Sequence, residues 1–387
     1  MADLILHHYE TSPFSEKIRL ILGYKKLAWK SVIVPRIMPK PDVVTLTGGY
    51  RKTPFLQIGS HIYCDTALIC DVLEHLQPTP TLYPSGHKGL ARVLAQWADD
   101  KLFWAAMAWN FSPKGTAQIF GGGPPELWGP QAKLFGEDRT KMRMGAARMH
   151  PSDAAATYKS YLRRLADMLH EQAYLLGDKP CIADFAAYHP LWFTRTQTSV
   201  MADILDATPP VLAWMDRMAT IGHGTSQASS AADSVAICAA SAGVGAVLSD
   251  QPLQDEHGIA LGSRVSVASD SFGPEPTEGE LVAATRMHYT LRRTDERPGA
   301  VHAPFPPTGY GPPLPPTAHG QDPVALPTTP RNVHVRGPGK TTLGVPAARE
   351  TIVRASPPPV ALCGPRPEST RAQGPGTGPG AVTGRSM

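Results

Sequence analysis

Leu4-Ile5-Leu6-His7-His8-Tyr9-Glu10-Thr11-Ser12-Pro13-Phe14-Ser15-Glu16-Lys17-Ile18 decides how the rest of the chain is read. An apolar run breaks into polar residues, and from Phe14 the apolar positions fall at 14, 18, 21 and 22, the stripe of an amphipathic helix. Ser12 is placed as the N-cap. Pro13 suits the first turn, because its fixed φ matches the helix and its missing N–H would have had no intrahelical partner. Strand, tight turn and helix follow one another. A hydroxyl at such a turn sits beside free N–H groups and the positive end of a helix dipole, a setting that favours an anion. For a thiolate, that setting lowers the pKa.

Outward from this point, residues 1–78 alternate strand and helix. Ser31 to Val34 is a β-branched strand candidate, followed by a loop through Pro35, Pro39 and Pro41. Thr53-Pro54-Phe55-Leu56-Gln57-Ile58-Gly59 and His61-Ile62-Tyr63-Cys64 form a hairpin pattern around Gly59-Ser60. A helix with apolar residues at 69, 72, 73 and 76 follows, opened by Asp65 and Thr66. This order, β-α-β, loop, β-β-α, predicts a mixed sheet carrying helices.

Three of these segments, in this order, resemble the thioredoxin-like domain of glutathione S-transferases. Ser12-Pro13-Phe14-Ser15 is similar to the family's activating segment, Thr53-Pro54 to its cis X-Pro step, and Asp65-Thr66-Ala67-Leu68-Ile69 to the helix start that holds the γ-glutamyl end. The resemblance implies that Ser12 acts on the thiol of glutathione, with Tyr9 as the rival activator. Thr53 and Pro54 would then pair with the cysteinyl backbone. Asp65 would meet the ammonium, and Thr66 the γ-glutamyl carboxylate. Phe14 belongs to the same segment, and Arg51 and Lys52 stand where a glycyl carboxylate would need a cation. Serine rather than cysteine at position 12 argues against mixed-disulfide chemistry.

Residues 79–87 read as a linker into a helical domain over 88–225. Trp97, Phe103, Trp104, Met107 and Trp109 load its first helix, chiefly as core and dimer packing, with Trp104 and Trp109 as candidate walls for an apolar electrophile. Residues 110–150 read as a long loop, punctuated by Gly121-Gly122-Gly123-Pro124-Pro125. Tyr158, Tyr161, Leu162, Leu165 and Met168 mark a further helix. Asp184 resembles the reaching-back member of the family's capping motif, with Cys181 where serine or threonine is usual.

Residues 226–303 are expected to begin with a small Ala/Ser-rich helix and to continue as a small β-rich appendage. Its strands are expected in Leu261 to Val267 and Leu281 to Arg293, with Gly273-Pro274-Glu275-Pro276 as the turn-rich break. From Pro304 to Met387 the chain holds 19 of its 40 prolines, so 304–387 is expected to be disordered. That segment carries eight basic against three acidic residues, which accounts for the whole net charge of +4. The folded part therefore gives no electrostatic footprint of a nucleic-acid binder.

The five cysteines form no CxxC pair, His7 and His8 alternate across a strand, and no HExxH spacing occurs, so no metal is expected. Gly339-Lys340-Thr341 lacks the first glycine and the strand of a phosphate loop. The prolines at 312–316 are read as a low-complexity linker rather than a docking motif. Without an 18-residue apolar run or a signal-type start, the expectation is a cytoplasmic protein away from membranes. The family resemblance implies a homodimeric transferase that activates glutathione toward a small electrophile. A non-catalytic binding or dimerisation protein on the same fold remains open, as does a glutathione-dependent isomerase or dehalogenase.

Overall fold

The computed structural model describes residues 2–143, 149–241, 246–249, 252–254 and 257–311. The first unit runs β1 (Leu4–His8), α1 (Pro13–Tyr24), β2 (Trp29–Ile33), α2 (Pro41–Thr47), β3 (Phe55–Ile58), β4 (His61–Cys64) and α3 (Thr66–Leu76). β1 pairs parallel with β2 and antiparallel with β3, and β3 pairs antiparallel with β4. Period-two alternation divides the side chains between two cores. Leu4, Leu6, Leu56 and Ile58 face α1, α3 and the helical region, whereas Phe55, Ile62 and Cys64 face the opposite side. The loop expected after β2 contains α2, which starts at Pro41 and ends on Gly48 in the left-handed conformation.

The helical region comprises α4 (Lys88–Trp97), α5 (Phe103–Asn110), α6 (Pro113–Ile119), α7 (Pro125–Lys141), α8 (Pro151–Met168), α9 (Ile182–Trp192) and α10 (Pro209–Ala219). The π-helical turn Ala98–Leu102 joins α4 to α5. The stretch expected to be a long loop instead holds α6 and α7. Proline at the first turn of each is a start signal as well as a breaker, and only the Gly121-Gly122-Gly123 link between them is irregular. At the start of the buried α9, Asp184 accepts N–H groups from Cys181, Leu175 and the Trp214 indole, each at 2.9 Å. The Cys181 sulfur takes the place of the usual capping hydroxyl.

The remaining strands are β5 (Ser226–Ala228), β6 (Arg264–Val267), β7 (Thr277–Ala284), β8 (Tyr289–Asp295) and β9 (Gly299–Phe305), with α11 (Ala231–Ala240) after β5. They do not form a separate sheet. The strand order is β5-β2-β1-β3-β4-β9-β8-β7-β6, nine strands in one sheet. β9 runs parallel to β4 at His61 and His302, whose rings stack at 4.8 Å. Val265, Leu281, Leu291, Val301, Ala303 and Phe305 extend the second core begun by Phe55 and Ile62, and α11 closes it where Gln57 donates to the Ser234 carbonyl. The boundary expected at 303/304 is corrected. Pro304 and Phe305 belong to β9, and order continues to Gly311, because Phe305 and Tyr310 bury their rings against each other at 5.5 Å. Residues 312–387, the greater part of the expected disordered segment, lie outside the described residues.

Candidate functional site

Sheet register brings the three sequence segments to one edge. His7 stands opposite Phe55, and Phe55 opposite Cys64, so the chain leaving β1, the chain entering β3 and the chain leaving β4 all emerge together. Ser12, Thr53-Pro54 and Asp65-Thr66 are those three chains. The Lys17 ammonium ties them by donating to Thr66 Oγ1 at 3.3 Å while pairing with Asp99 of the helical region at 2.5 Å.

Ser12 caps α1, accepting the Ser15 N–H at 3.2 Å, and is buried. A serine hydroxyl has one donor and two acceptor sites, so capping leaves its hydrogen available. Beside it, the buried Ser15 hydroxyl has no hydrogen-bond partner among the described residues. Phe14 points into the helical region between Phe103 at 4.7 Å and His189 at 4.6 Å. The Thr53–Pro54 peptide is cis, as the family resemblance implied.

Lys40 was missed by sequence reasoning, since nothing distinguishes it from a solvated loop lysine. It is buried, and among the described residues its ammonium reaches only neutral acceptors, the Arg51 carbonyl at 3.2 Å and Thr53 Oγ1 at 3.4 Å. Burial, with the nearby Arg139 charge, pushes its pKa down to about 8.

Asp65 sits at φ +80° and caps α3 through Oδ1, which accepts the Ala67 N–H at 2.9 Å. Its second oxygen is also engaged. Tyr310 Oη donates to Asp65 Oδ2 at 3.2 Å, while the Asp65 N–H donates to Tyr50 Oη at 3.1 Å. Lys52 donates to Ser269 Oγ at 3.1 Å, with its ammonium 4.7 Å from the Tyr310 ring centre and 5.4 Å from that of Tyr50. Burial lowers the Lys52 pKa. Arg51 pairs with Asp138 at 2.7 Å and with Glu275 at 2.6 Å.

The segment between β6 and β7 therefore lies across this edge. Gly49 shows how closely: a Cβ there would stand 2.0 Å from the Pro276 carbonyl oxygen, and its φ of +155° is itself unfavourable for a side chain. Further along, Phe272 meets Trp104 edge-on at 5.1 Å. Trp109 lies apart from Trp104, its indole donating to the Met201 carbonyl at 3.0 Å. Tyr9 is half-buried against the second core. A cavity of about 70 Å³ opens beside Thr11, bounded by Arg36, Gln118, Ile119, Phe193 and Gln197. Among the described residues, no group of three His, Cys, Asp or Glu side chains is arranged to hold a metal, and no helix is long and apolar enough to cross a membrane.

Comparison with known proteins defines the class. Residues 6–81 match the model of the glutathione S-transferase N-terminal domain, and residues 142–217 that of the C-terminal domain. A solved GST-like protein from Pseudomonas syringae is 38% identical with a TM-score of 0.64, and the match covers 80% of this chain and 98% of that one. The chain belongs to the glutathione S-transferase family. The Pseudomonas match spans more of the chain than residues 6–217, so the likeness extends beyond the two family domains. FtsZ-localized protein A of Caulobacter vibrioides is 28% identical over 193 residues, 47% of this chain and 73% of that protein. A glutathione S-transferase from Methylobacillus flagellatus solved with glutathione bound is 17% identical, with a TM-score of 0.41 over 57% of this chain and 99% of that one.

Proposed function

We propose that this chain is a glutathione transferase that activates the glutathione thiol at Ser12 for attack on a small electrophile. The observation that carries this reading is the Ser12 cap, which accepts the Ser15 N–H and keeps its own hydrogen to donate to a thiolate at the positive end of α1. The tripeptide would pair its cysteinyl backbone with Thr53 at Pro54. Its γ-glutamyl carboxylate would meet the N–H groups and hydroxyl at Thr66, with its ammonium on Asp65. Lys52 and the newly found Lys40 are the cations available to the glycyl carboxylate. Tyr9, Trp104 and Trp109 are the proposed walls for the electrophile. Four buried free thiols are in keeping with action in a reducing cytoplasm. Exposed Leu90 and Val93 on α4 support a homodimer.

A second reading is favoured by a specific observation: Asp65 and Lys52 are already engaged by Tyr310 and Ser269. On that reading the protein is a binding or scaffold module that has kept the fold and given up the chemistry; the Caulobacter relative is named for its localisation with FtsZ rather than for a reaction. The two are separated by the ultraviolet difference spectrum of glutathione bound to the full chain, recorded across a pH series. A bound thiol pKa well below that of free glutathione, lost in Ser12→Ala, supports the transferase. Binding with an unshifted pKa supports the scaffold. Turnover without net consumption of glutathione would redirect the assignment to an isomerase or dehalogenase.

A further inference from the structure

We propose that Tyr310 is a specificity-determining residue of the cleft, an intramolecular occupant of the seat that a ligand's ammonium would take on Asp65. This rests on the reading of the cleft as a glutathione site and goes further, because it states which end of the ligand must displace part of the chain.

Each Asp65 oxygen already holds one hydrogen bond. One oxygen is committed to the Ala67 N–H as the cap of α3, and the other receives the Tyr310 hydroxyl hydrogen. Oδ2 keeps a second lone pair, so what the Tyr310 hydroxyl takes is the space in front of it: an ammonium approaching that oxygen meets a buried tyrosine already standing 3.2 Å away. Tyr310 is not there by chance of a loose end. It bridges to Ser269 in the backbone, its ring packs on Phe305 at 5.5 Å, and it is buried. Ser269 in turn donates to the Gly309 carbonyl at 3.4 Å and accepts from Lys52, so one small cluster engages Asp65 at the amino end and Lys52, one of the two cations offered to the glycyl carboxylate.

The opposite end is different. Among the described residues, Lys40 beside Thr53 meets only neutral acceptors and the Ser12 hydroxyl meets no acceptor. The Tyr310 contact therefore bears on the amino end of a peptide ligand, while the glycyl end keeps Lys40. A ligand keeping the thiol and glycyl carboxylate but lacking the γ-glutamyl amino group does not contend with Tyr310 for Asp65.

The test is a binding cycle by calorimetry on the full chain, with glutathione and its desamino analogue as probes and wild type, Tyr310→Phe and Ser269→Ala as proteins. Tyr310→Phe keeps the ring in place and removes the competing donor, leaving Asp65 Oδ2 short of a partner. Glutathione should bind it about tenfold more tightly than wild type, while the desamino analogue changes by less than about twofold. Ser269→Ala, which frees Lys52 and leaves the Tyr310 hydroxyl on Asp65, should leave the ratio between the two ligands as in wild type. Equal gains for both ligands in Tyr310→Phe, or no gain for either, overturn the ammonium-seat assignment while leaving the glutathione site standing. Glutathione binding to none of the proteins overturns the site assignment itself, and the Tyr310 proposal with it.

Discussion

The helices α1 and α3 begin at the same sheet edge, each capped by a polar side chain, yet the two caps stand in opposite states. Ser12 takes one N–H and retains its hydrogen, whereas each oxygen of Asp65 accepts a hydrogen bond, the second from a tyrosine far away in sequence. Local sequence specifies both caps equally well. Availability is decided by what the rest of the chain lays over them. At α1 the neighbours are apolar rings of the helical region, which shield without hydrogen-bonding. At α3 the neighbour is the extension of the sheet, which brings a donor.

The largest expected effect breaks this comparison at its occupied side. Asp65→Ala removes the α3 cap and orphans the Tyr310 hydroxyl, for a loss of about 2 kcal/mol or more in chemical denaturation. Glutathione binding should disappear with it, and adding Tyr310→Phe should then cost little further stability. A second full loss on adding Tyr310→Phe would show that the contact between the two is not what holds them.

Lys40 lies beside Thr53, and its lowered pKa makes a signed prediction. With a folded pKa of about 8 against 10.5 for a free lysine, holding the charge costs stability at neutral pH. That cost shrinks as pH rises from about 8 and is gone above 10.5. Lys40→Met should therefore gain up to about 3 kcal/mol at pH 7, less whatever the abandoned Arg51 carbonyl costs, and the gain should fade through that alkaline window. Denaturant titrations at pH 7 and pH 10 check it. A gain independent of pH would place its origin in packing instead.

The smallest effect sharpens the comparison with a third cap. At α9 the Cys181 sulfur stands where a hydroxyl would accept more strongly, and burial holds that thiol protonated, pushing its pKa up to about 12. Cys181→Ser should raise stability by about 1 kcal/mol, or roughly 2 °C in Tm. An unchanged Tm would mean that Asp184, with its three N–H donors, already saturates the cap.

What could be read in the sequence follows the range of the interactions. Ser12, Pro13, the hairpin at Gly59 and the Asp65 cap depend on residues within a few positions, and their patterns predicted them, whereas the cis step at Thr53-Pro54 came from the family resemblance. Alternation marked β6 within Leu261 to Val267, but the expected Leu281 to Arg293 stretch spans the end of β7, the turn before Tyr289 and most of β8, and the joining of β9 to β4 has no local signature. His61 and His302 are separated by most of the chain and are matched only in space. Tyr310 was hidden for a compositional reason. It sits between Gly309 and Gly311 after Pro306-Pro307, so its surroundings look like a linker, and only its packing on Phe305 and its bond to Asp65 give it a place. Lys40 precedes Pro41 in a stretch read as an exposed loop. The short α2 and the segment between β6 and β7 turned that loop into an interior.

The nine-strand order also has a consequence for how the chain is made. The four strands β2-β1-β3-β4 are complete once residue 64 has been synthesised, but both outer edges of that set remain unpaired. One is closed by β5 and the other by β9, and each arrives only after the entire helical region. At ordinary synthesis rates of about 5–20 residues per second, roughly ten to fifty seconds separate β4 from the strand that covers it. During that interval the nascent protein carries an open hydrogen-bonding edge able to pair with another chain. Ribosome-bound copies truncated before residue 299 should be markedly more prone to association than copies that include β9.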